Sequence, residues 1–209
     1  MANAFLDLAM TPSVRAAQAA NGSEGLYDRI KGRRGDQLGE VEVAFIAARD
    51  SFYIASVSES GWPYVQHRGG PAGFLQPIGE QTLAFADFRG NRQYLTLGNT
   101  SVDDRVALIM VDYPQRRRLK LLARIEAREL ADDPELALVL ALPDYRAVPE
   151  RAFVLHVEAF DWNCPQHITP RYTESEITAA SAPLHARQAQ LEAENAALRA
   201  ALANKETNR

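Results

Sequence analysis

The spacing of hydrophobic residues changes twice along this chain, and each change marks a different kind of structure. In residues 3–20, Phe5, Leu8 and Ala9, then Val14 and Ala17, recur at helical spacing, with Pro12 positioned to open a second helix. Residues 21–37 are rich in Gly, Arg and Asp and predict a connector with at most a short helical turn over 26–30. A helix is expected over 40–48, packed through Val41, Ala44, Phe45 and Ala48. From residue 51 the period shortens. Residues 51–68 predict a β-hairpin: β-formers to Ser58, a turn over 59–63, and a return strand from Tyr64 to Arg68. Further strands are expected over 81–86, entered through a turn at 77–79, and over 105–111, whose near-continuous apolar run suggests burial on both faces or a place in a barrel wall. Residues 118–130 set Leu119, Leu121 and Ala123 against Lys120, Leu122 and Arg124, and 153–160 alternate again. Helices are predicted over 90–98 and 134–142, the second with Asp132 or Asp133 as its cap and Pro134 at its first position. Six strands with few helices between them predict a mainly β fold with helical additions, a six-stranded antiparallel barrel rather than a βαβ sheet.

The tail reverts to helical spacing. Leu184, Leu191, Leu198 and Leu202 share a seam with Asn195. With Leu191 at heptad position d, Asn195 falls at a, Glu194 at g and Arg199 at e, an arrangement that suits a two-stranded parallel pair. The alternative is an amphipathic helix lying on its own barrel. The chain thus divides into a helical extension (1–39), a barrel domain (40–168) and a C-terminal helix (169–209) able to pair across a dimer.

Composition adds exclusions. The 209 residues carry a formal net charge of −4, with 46% hydrophobic and 24% charged residues, so bulk attraction to nucleic acid or anionic membrane is not expected. The single cysteine, Cys164, rules out an internal disulfide and a cysteine-based zinc site. No signal-like start and no run long enough to span a bilayer are present, which predicts a cytoplasmic chain with no membrane partner.

Any anion site must therefore be a local cluster, and the sequence holds three. His67 and Arg68 end a strand and are followed by Gly69, Gly70 and Pro71, where bare backbone and a guanidinium could grip an anion. A solvated strand end with a bulge would read the same way. Residues 87–93 (DFRGNRQ) follow a strand and open the predicted 90–98 helix. With Gly90 for clearance and Arg89 and Arg92 nearby, they could cradle a phosphate, although Asn91 or Asp87 could equally just cap that helix. Residues 116–120 (RRRLK) put Arg116, Arg118 and Lys120 on one strand face, where an anion or solvent must offset their repulsion. Trp162 to His167 (WNCPQH) combines an aromatic, two amides and an imidazole in a loop able to pack against a ring. Within strand and tail, His156 and His185 carry no such context, and Cys164 has no neighbouring base. No Walker A loop, Gly-x-Gly-x-x-Gly turn, Ser-His-Asp spacing or paired catalytic carboxylates occur.

In the order they occur, RDSFYIASVSESGWPYVQHRGGPAGF, LAFADFRGNRQYLTLGN, DDRVALIMVDY and RRRLKLLARIE, with NCPQHI near the C-terminus, resemble the FMN-binding split-barrel proteins related to pyridoxamine 5′-phosphate oxidase. The resemblance implies a six-stranded split barrel that holds FMN at a homodimer interface. By position, Arg68 matches the arginine ending a barrel strand, and Arg92 with Gln93 stands where an Arg-Lys pair holds the FMN phosphate. Arg118, with Lys120 pointing the same way, falls where a side chain reaches the flavin across the dimer. Backbone at Gly69–Pro71 and at Ala86 and Asp87 would line the ring and ribityl chain, with Asn91 beside the phosphate and Gln166 and His167 on the substrate side. The chain departs from the family where Gln93 replaces lysine, where the lysine closing the first strand is absent, and where the C-terminal Arg-x-His element is missing. The resemblance therefore implies an FMN-dependent oxidoreductase acting with a small-molecule electron donor and acceptor, rather than a vitamin B6 oxidase. A non-catalytic flavin-storage or sensing module, and a barrel using heme or a deazaflavin, are the other readings.

Overall fold

The computed structural model describes residues 4–26 and 36–207. The chain forms two compact units, one of residues 1–112 with 116–167 and one of 113–115 with 168–209. The first opens with helices α1 (Ala4–Ala9), α2 (Pro12–Ala20) and α3 (Glu40–Ala47). It continues through strands β1 (Ser51–Val57), β2 (Pro63–Gly69), β3 (Gln76–Gly79) and β4 (Thr82–Phe88), helix α4 (Leu95–Thr100) and strands β5 (Arg105–Asp112) and β6 (Arg117–Arg128). Helix α5 (Pro134–Val139) and strand β7 (Pro149–Asn163) complete it; the second unit carries helix α6 (Glu174–Thr207). The helical turn expected over 26–30 falls almost wholly outside the described residues.

One antiparallel sheet holds the strands in the order β2-β1-β5-β6-β7-β4-β3. This corrects the expectation of six strands. The seventh is β3, expected as a turn because Pro77 and Gly79 punctuate it; it pairs with β4 as an edge strand, where a proline costs no ladder bond on its open side. The sheet is not closed, since β2 and β3 stand at its two ends. Its length comes from β6 and β7, which run together from Arg118↔Asn163 to Arg128↔Ala152 with a register shift at Leu122/Ala123 that bends the pair.

Alternation fixes the core. Phe52 and Ile54 from β1, Val106, Leu108 and Met110 from β5, and Leu119, Leu121 and Ala123 from β6 all point inward and are buried. Of the two readings of 105–111, burial on both faces does not hold and a one-sided barrel wall does: Ala107 is exposed and Ile109 and Val111 are half-buried, on the outer face. That outer face also carries Tyr53, Val57 and Val65, all exposed. Strand β4 is covered on both sides, with Leu83 and Phe85 in the main core and Ala84 and Ala86 in a smaller cluster under α5 with Leu136 and Leu140. Asp133 caps α5 by accepting from the Leu136 N–H at 3.0 Å, with Pro134 in the first turn.

Helix α3 packs through Glu42, Phe45 and Ile46 rather than through Val41, which is 50% exposed. The physical reason is the buried Glu42 carboxylate, which accepts from the Trp162 indole N–H at 2.8 Å and from the Gly39 N–H at 3.0 Å. Among the described residues, no helix is long and apolar enough to cross a membrane.

Candidate functional site

Three segments converge at one end of the sheet. Going back from Arg68 along β2, alternation brings Gln66 and Tyr64 to the same face. Register pairs these three with Phe52, Ile54 and Ser56, so the β2 side chains share the inward side of the sheet. On β4, Asp87 projects from the side of Leu83 and Phe85. Together with Phe88, loop residues 90–94, Leu95 and Leu97 of α4, and Glu150 at the start of β7, they line a cavity of about 220 Å³.

An ion-pair network frames this cavity. Arg68 Nη1 donates to Asp87 Oδ1 at 2.6 Å, and Arg151 Nη1 donates to Asp87 Oδ2 at 2.8 Å. Arg89 Nε and the Tyr94 hydroxyl donate to Glu150 Oε1 at 3.0 and 3.2 Å. The hydrogen bond from Arg89, more than opposing desolvation, holds the Glu150 carboxyl below its ordinary pKa, with Tyr94 helping. Arg92 is exposed, has its pKa held above the ordinary value by the neighbouring Tyr94, and makes no ion pair among the described residues. Four guanidinium groups (Arg68, Arg89, Arg92, Arg151) thus face two carboxylates (Asp87, Glu150), a local surplus of two positive charges in a chain of net −4. Among the described residues, the buried Arg68 Nε has no hydrogen-bond partner. The cavity lining carries Arg68 and Arg92 against Asp87 and Glu150, and Arg89 and Arg151 pair with those carboxylates from outside the lining, an arrangement that fits a phosphate monoester.

The loop around Arg92 differs from the helix expected there. Helix α4 begins only at Leu95, and Arg92 and Tyr94 adopt left-handed backbone at φ 60° and 53°. Non-glycine residues held in this region store strain that tertiary contacts must support. Asn91 supports it by accepting from the Gln93 N–H at 3.1 Å and donating to the Gln93 side chain at 3.2 Å. Neither Asn91 nor Asp87 caps α4. Thr96, buried in α4, donates to Gln66 Oε1 at 2.8 Å and fixes that amide against the cavity.

Of the residues singled out from sequence, Arg68, Asp87, Gly90, Asn91, Arg92 and Gln93 meet at this cavity, with Arg89 in the ion-pair network around it. The others lie elsewhere in the chain. His67 points to the outer face, edge-on to the Tyr53 ring at 5.3 Å. The Gly70 N–H donates to the Asp50 carbonyl, and a Cβ on Gly70 would sit 2.8 Å from Phe74 Cγ, so packing by itself requires glycine there. Pro71 follows in the turn that leads to Phe74, accepting from the Phe74 N–H at 3.0 Å. The Ala86 side chain is buried under α5. Arg116, expected on the strand face of Arg118, lies in the turn before β6 with φ 53°.

Arg118 and Lys120 lie on the outer face of β6. Arg118 Nη2 donates to the Cys164 carbonyl at 2.8 Å while its Nε stays buried without a partner; Lys120 pairs with Asp161 at 2.9 Å. Gln166 and His167 are exposed just beyond β7, His167 at φ 61°. This second group gathers at the Asn163 end of β7 and the cavity at its Pro149 end, a strand path of about 40 Å at ~3.3 Å per residue. None of these four lines the cavity. Sequence reasoning missed Tyr64, Gln66, Tyr94 and Glu150. The alternation that ends at Arg68 carries the signal for the first two, whereas Glu150 stands in what reads as a loop ahead of the last strand.

Residues 38–160, more than half of the 209, match the family model described as pyridoxamine 5′-phosphate oxidase, and the chain belongs to that family. No curated protein matches the chain. Among solved structures it is similar to a Clostridium acetobutylicum protein related to general stress protein 26 of the pyridoxinephosphate oxidase family (16% identity, TM-score 0.41, covering 64% of this chain and 92% of that one). It is also similar to an FMN-binding protein from Syntrophomonas wolfei (14%, TM-score 0.43, 74% and 97%). A third is HutZ, the heme storage protein from Vibrio cholerae (16%, TM-score 0.38, 60% and 94%).

Proposed function

We propose that this protein is an FMN-dependent oxidoreductase whose flavin site is completed by a second copy of the chain. The observation that carries the reading is the cavity lined by Arg68 and Arg92 and framed by an ion-pair network with two more guanidinium groups than carboxylates, in a member of a family whose resemblance implies FMN. Arg68 and Arg92 hold the phosphate, and Gln66, steadied by Thr96, offers its amide to the chain linking phosphate and ring. When bound, the flavin supplies a ring that takes up and returns electron pairs. A cavity of about 220 Å³ is smaller than the roughly 300–1,000 Å³ of sites that enclose a drug-sized ligand, so one protomer accommodates only part of FMN. The partner's Arg118 and the partner's Lys120 supply positive charge beside the ring, and the partner's Gln166 and the partner's His167 border the substrate. The apolar outer face of β1, β2 and β5, with Tyr53, Val57 and Val65 exposed, supports pairing there.

Titrating the purified full chain with FMN, read by flavin fluorescence quenching and absorbance, tests this. Saturation near one FMN per chain is expected. No response to FMN overturns the reading, and a saturable shift and sharpening of the Soret band on adding hemin, lost in Arg68→Ala, would assign the cavity to heme instead. With FMN bound, oxidation of a reduced nicotinamide separates an enzyme from a storage module.

A further inference from the structure

Helix α6 has no role in the flavin reading. It runs for 34 residues, about 50 Å at ~1.5 Å per residue. Its start is fixed by a capping box, with the Glu176 N–H donating to Thr173 Oγ1 and the Thr173 N–H to Glu176 Oε2. Within it, every described side chain is exposed except half-buried Ser181. Its large apolar side chains are nevertheless confined to one seam. With Leu191 at d, Ile177, Leu184 and Leu198 also fall at d, whereas Ser181, Gln188, Asn195 and Leu202 fall at a.

We infer that α6 pairs with α6 of a second copy as a parallel, in-register two-stranded coiled coil. Parallel in-register pairing stacks a on a′ and d on d′, so Leu meets Leu while Ser181, Gln188 and Asn195 each meet their own kind. Antiparallel pairing would set a against d′ and press each of those polar side chains against leucine or isoleucine, leaving it without a partner. The flanking charges agree. In the parallel register, g of one helix faces the following e of the other, which joins Arg187 to the partner's Glu192 and Glu194 to the partner's Arg199. Both pairs are of opposite sign, and twofold symmetry repeats each. Within its own helix the Asn195 amide donates to the Leu191 carbonyl at 3.0 Å, a bond it can exchange for the partner's Asn195. Counting Glu174, which opens the helix at a, four polar a layers make a weak zipper, so tethering at the N-terminal ends raises the effective concentration that the pairing needs. The inference does not depend on flavin, because none of these residues belongs to the cavity.

Single cysteines in the full chain, with Cys164→Ser removing the native thiol, test register and direction together. Leu184→Cys and Leu198→Cys should each form a disulfide-linked dimer under mild oxidation, on the order of tenfold faster than Ala186→Cys and Ala200→Cys on the outer face of the helix. Crosslinking at both d positions supports the parallel pair, because an antiparallel pair can bring at most one of the two onto itself. Crosslinking at one or neither, or equally at the outer controls, overturns it. Failure of FMN to bind these variants would bear on the flavin site and leave this result unchanged.

Discussion

Replacing Arg68 by alanine separates two jobs that the side chain holds at once. In the free protein Arg68 is one of two guanidinium groups on the buried Asp87 carboxylate, with side-chain exposures of 16% and 8%. It also packs over the Phe85 and Phe153 rings, 5.9 and 5.7 Å from their centroids. Its removal leaves Asp87 with Arg151 alone. Losing one charge-assisted partner of a buried group costs about 1.5–3 kcal/mol, which for a domain of this size lowers Tm by about 3–12 °C. On the proposed FMN reading, Arg68→Ala also loses a contact with phosphate, a further ~1.5–3 kcal/mol or roughly a 10- to 150-fold rise in Kd for FMN. A double variant, Arg68→Ala with Asp87→Ala, takes the two effects apart. It removes the under-paired carboxylate and keeps the local charge unchanged, with Arg89, Arg92 and Arg151 against Glu150. Thermal melting should recover most of its loss in the double variant, while fluorescence titration still reads weak FMN binding. A wild-type Kd in Arg68→Ala, or full recovery of affinity in the double variant, would refute direct contact between Arg68 and the phosphate.

Three other outcomes follow from the geometry. Trp162→Phe removes the indole donor to Glu42 and leaves that buried carboxylate with the Gly39 N–H, so denaturant melts should show a loss of about 1–3 kcal/mol; an unchanged midpoint would mean water replaces the bond. Glu150 is depressed in the folded state from the ordinary 4.5, so its stabilising contribution is present above that pH and disappears as pH falls through the lower folded value. The Tm gap between wild type and Glu150→Gln should therefore stay constant at neutral pH and close only on acidification, and a gap that closes above pH 5 contradicts the assignment. Ile109→Glu, on the outer face and away from the cavity, should lower FMN affinity and dimer content together in sedimentation runs at matched concentration; unchanged affinity would detach the flavin site from the second copy.

Much of the sheet was legible because one-sided burial writes itself into alternation. The β1–β2 hairpin and the inward set Leu119, Leu121 and Ala123 are read correctly from spacing alone. Strand β3 was not, since its four residues include Pro77 and Gly79, which punctuate chains far more often than they pair. The start of α4 carries no side-chain cap, and the residues that looked like its caps are engaged with Arg68, Arg151 and Gln93 instead. Local rules assign a glutamate to the surface, and the partner that lets Glu42 be buried, Trp162, lies 120 residues away. The same limit applies at the cavity. Charge pointed to Arg68 and Arg92, but the Asp87 and Glu150 carboxylates that set the balance of the site come from pairings across β4 and β7.

That balance bears on what the cavity can hold. If Arg68, Arg89 and Arg151 were unpaired, their mutual repulsion in a half-buried site would work against folding whenever no ligand was bound. Asp87 and Glu150 remove that penalty, and they leave Arg92, the guanidinium without a carboxylate, at the exposed rim of the loop. On the proposed reading, an incoming phosphate can reach Arg92 without first displacing an ion pair, and Arg68 lines the same cavity. Selectivity for a dianion follows. One negative charge leaves the surplus of two positive charges half neutralised, and two charges close it. Riboflavin, which carries the same ring without the phosphate, should accordingly bind this site far more weakly than FMN.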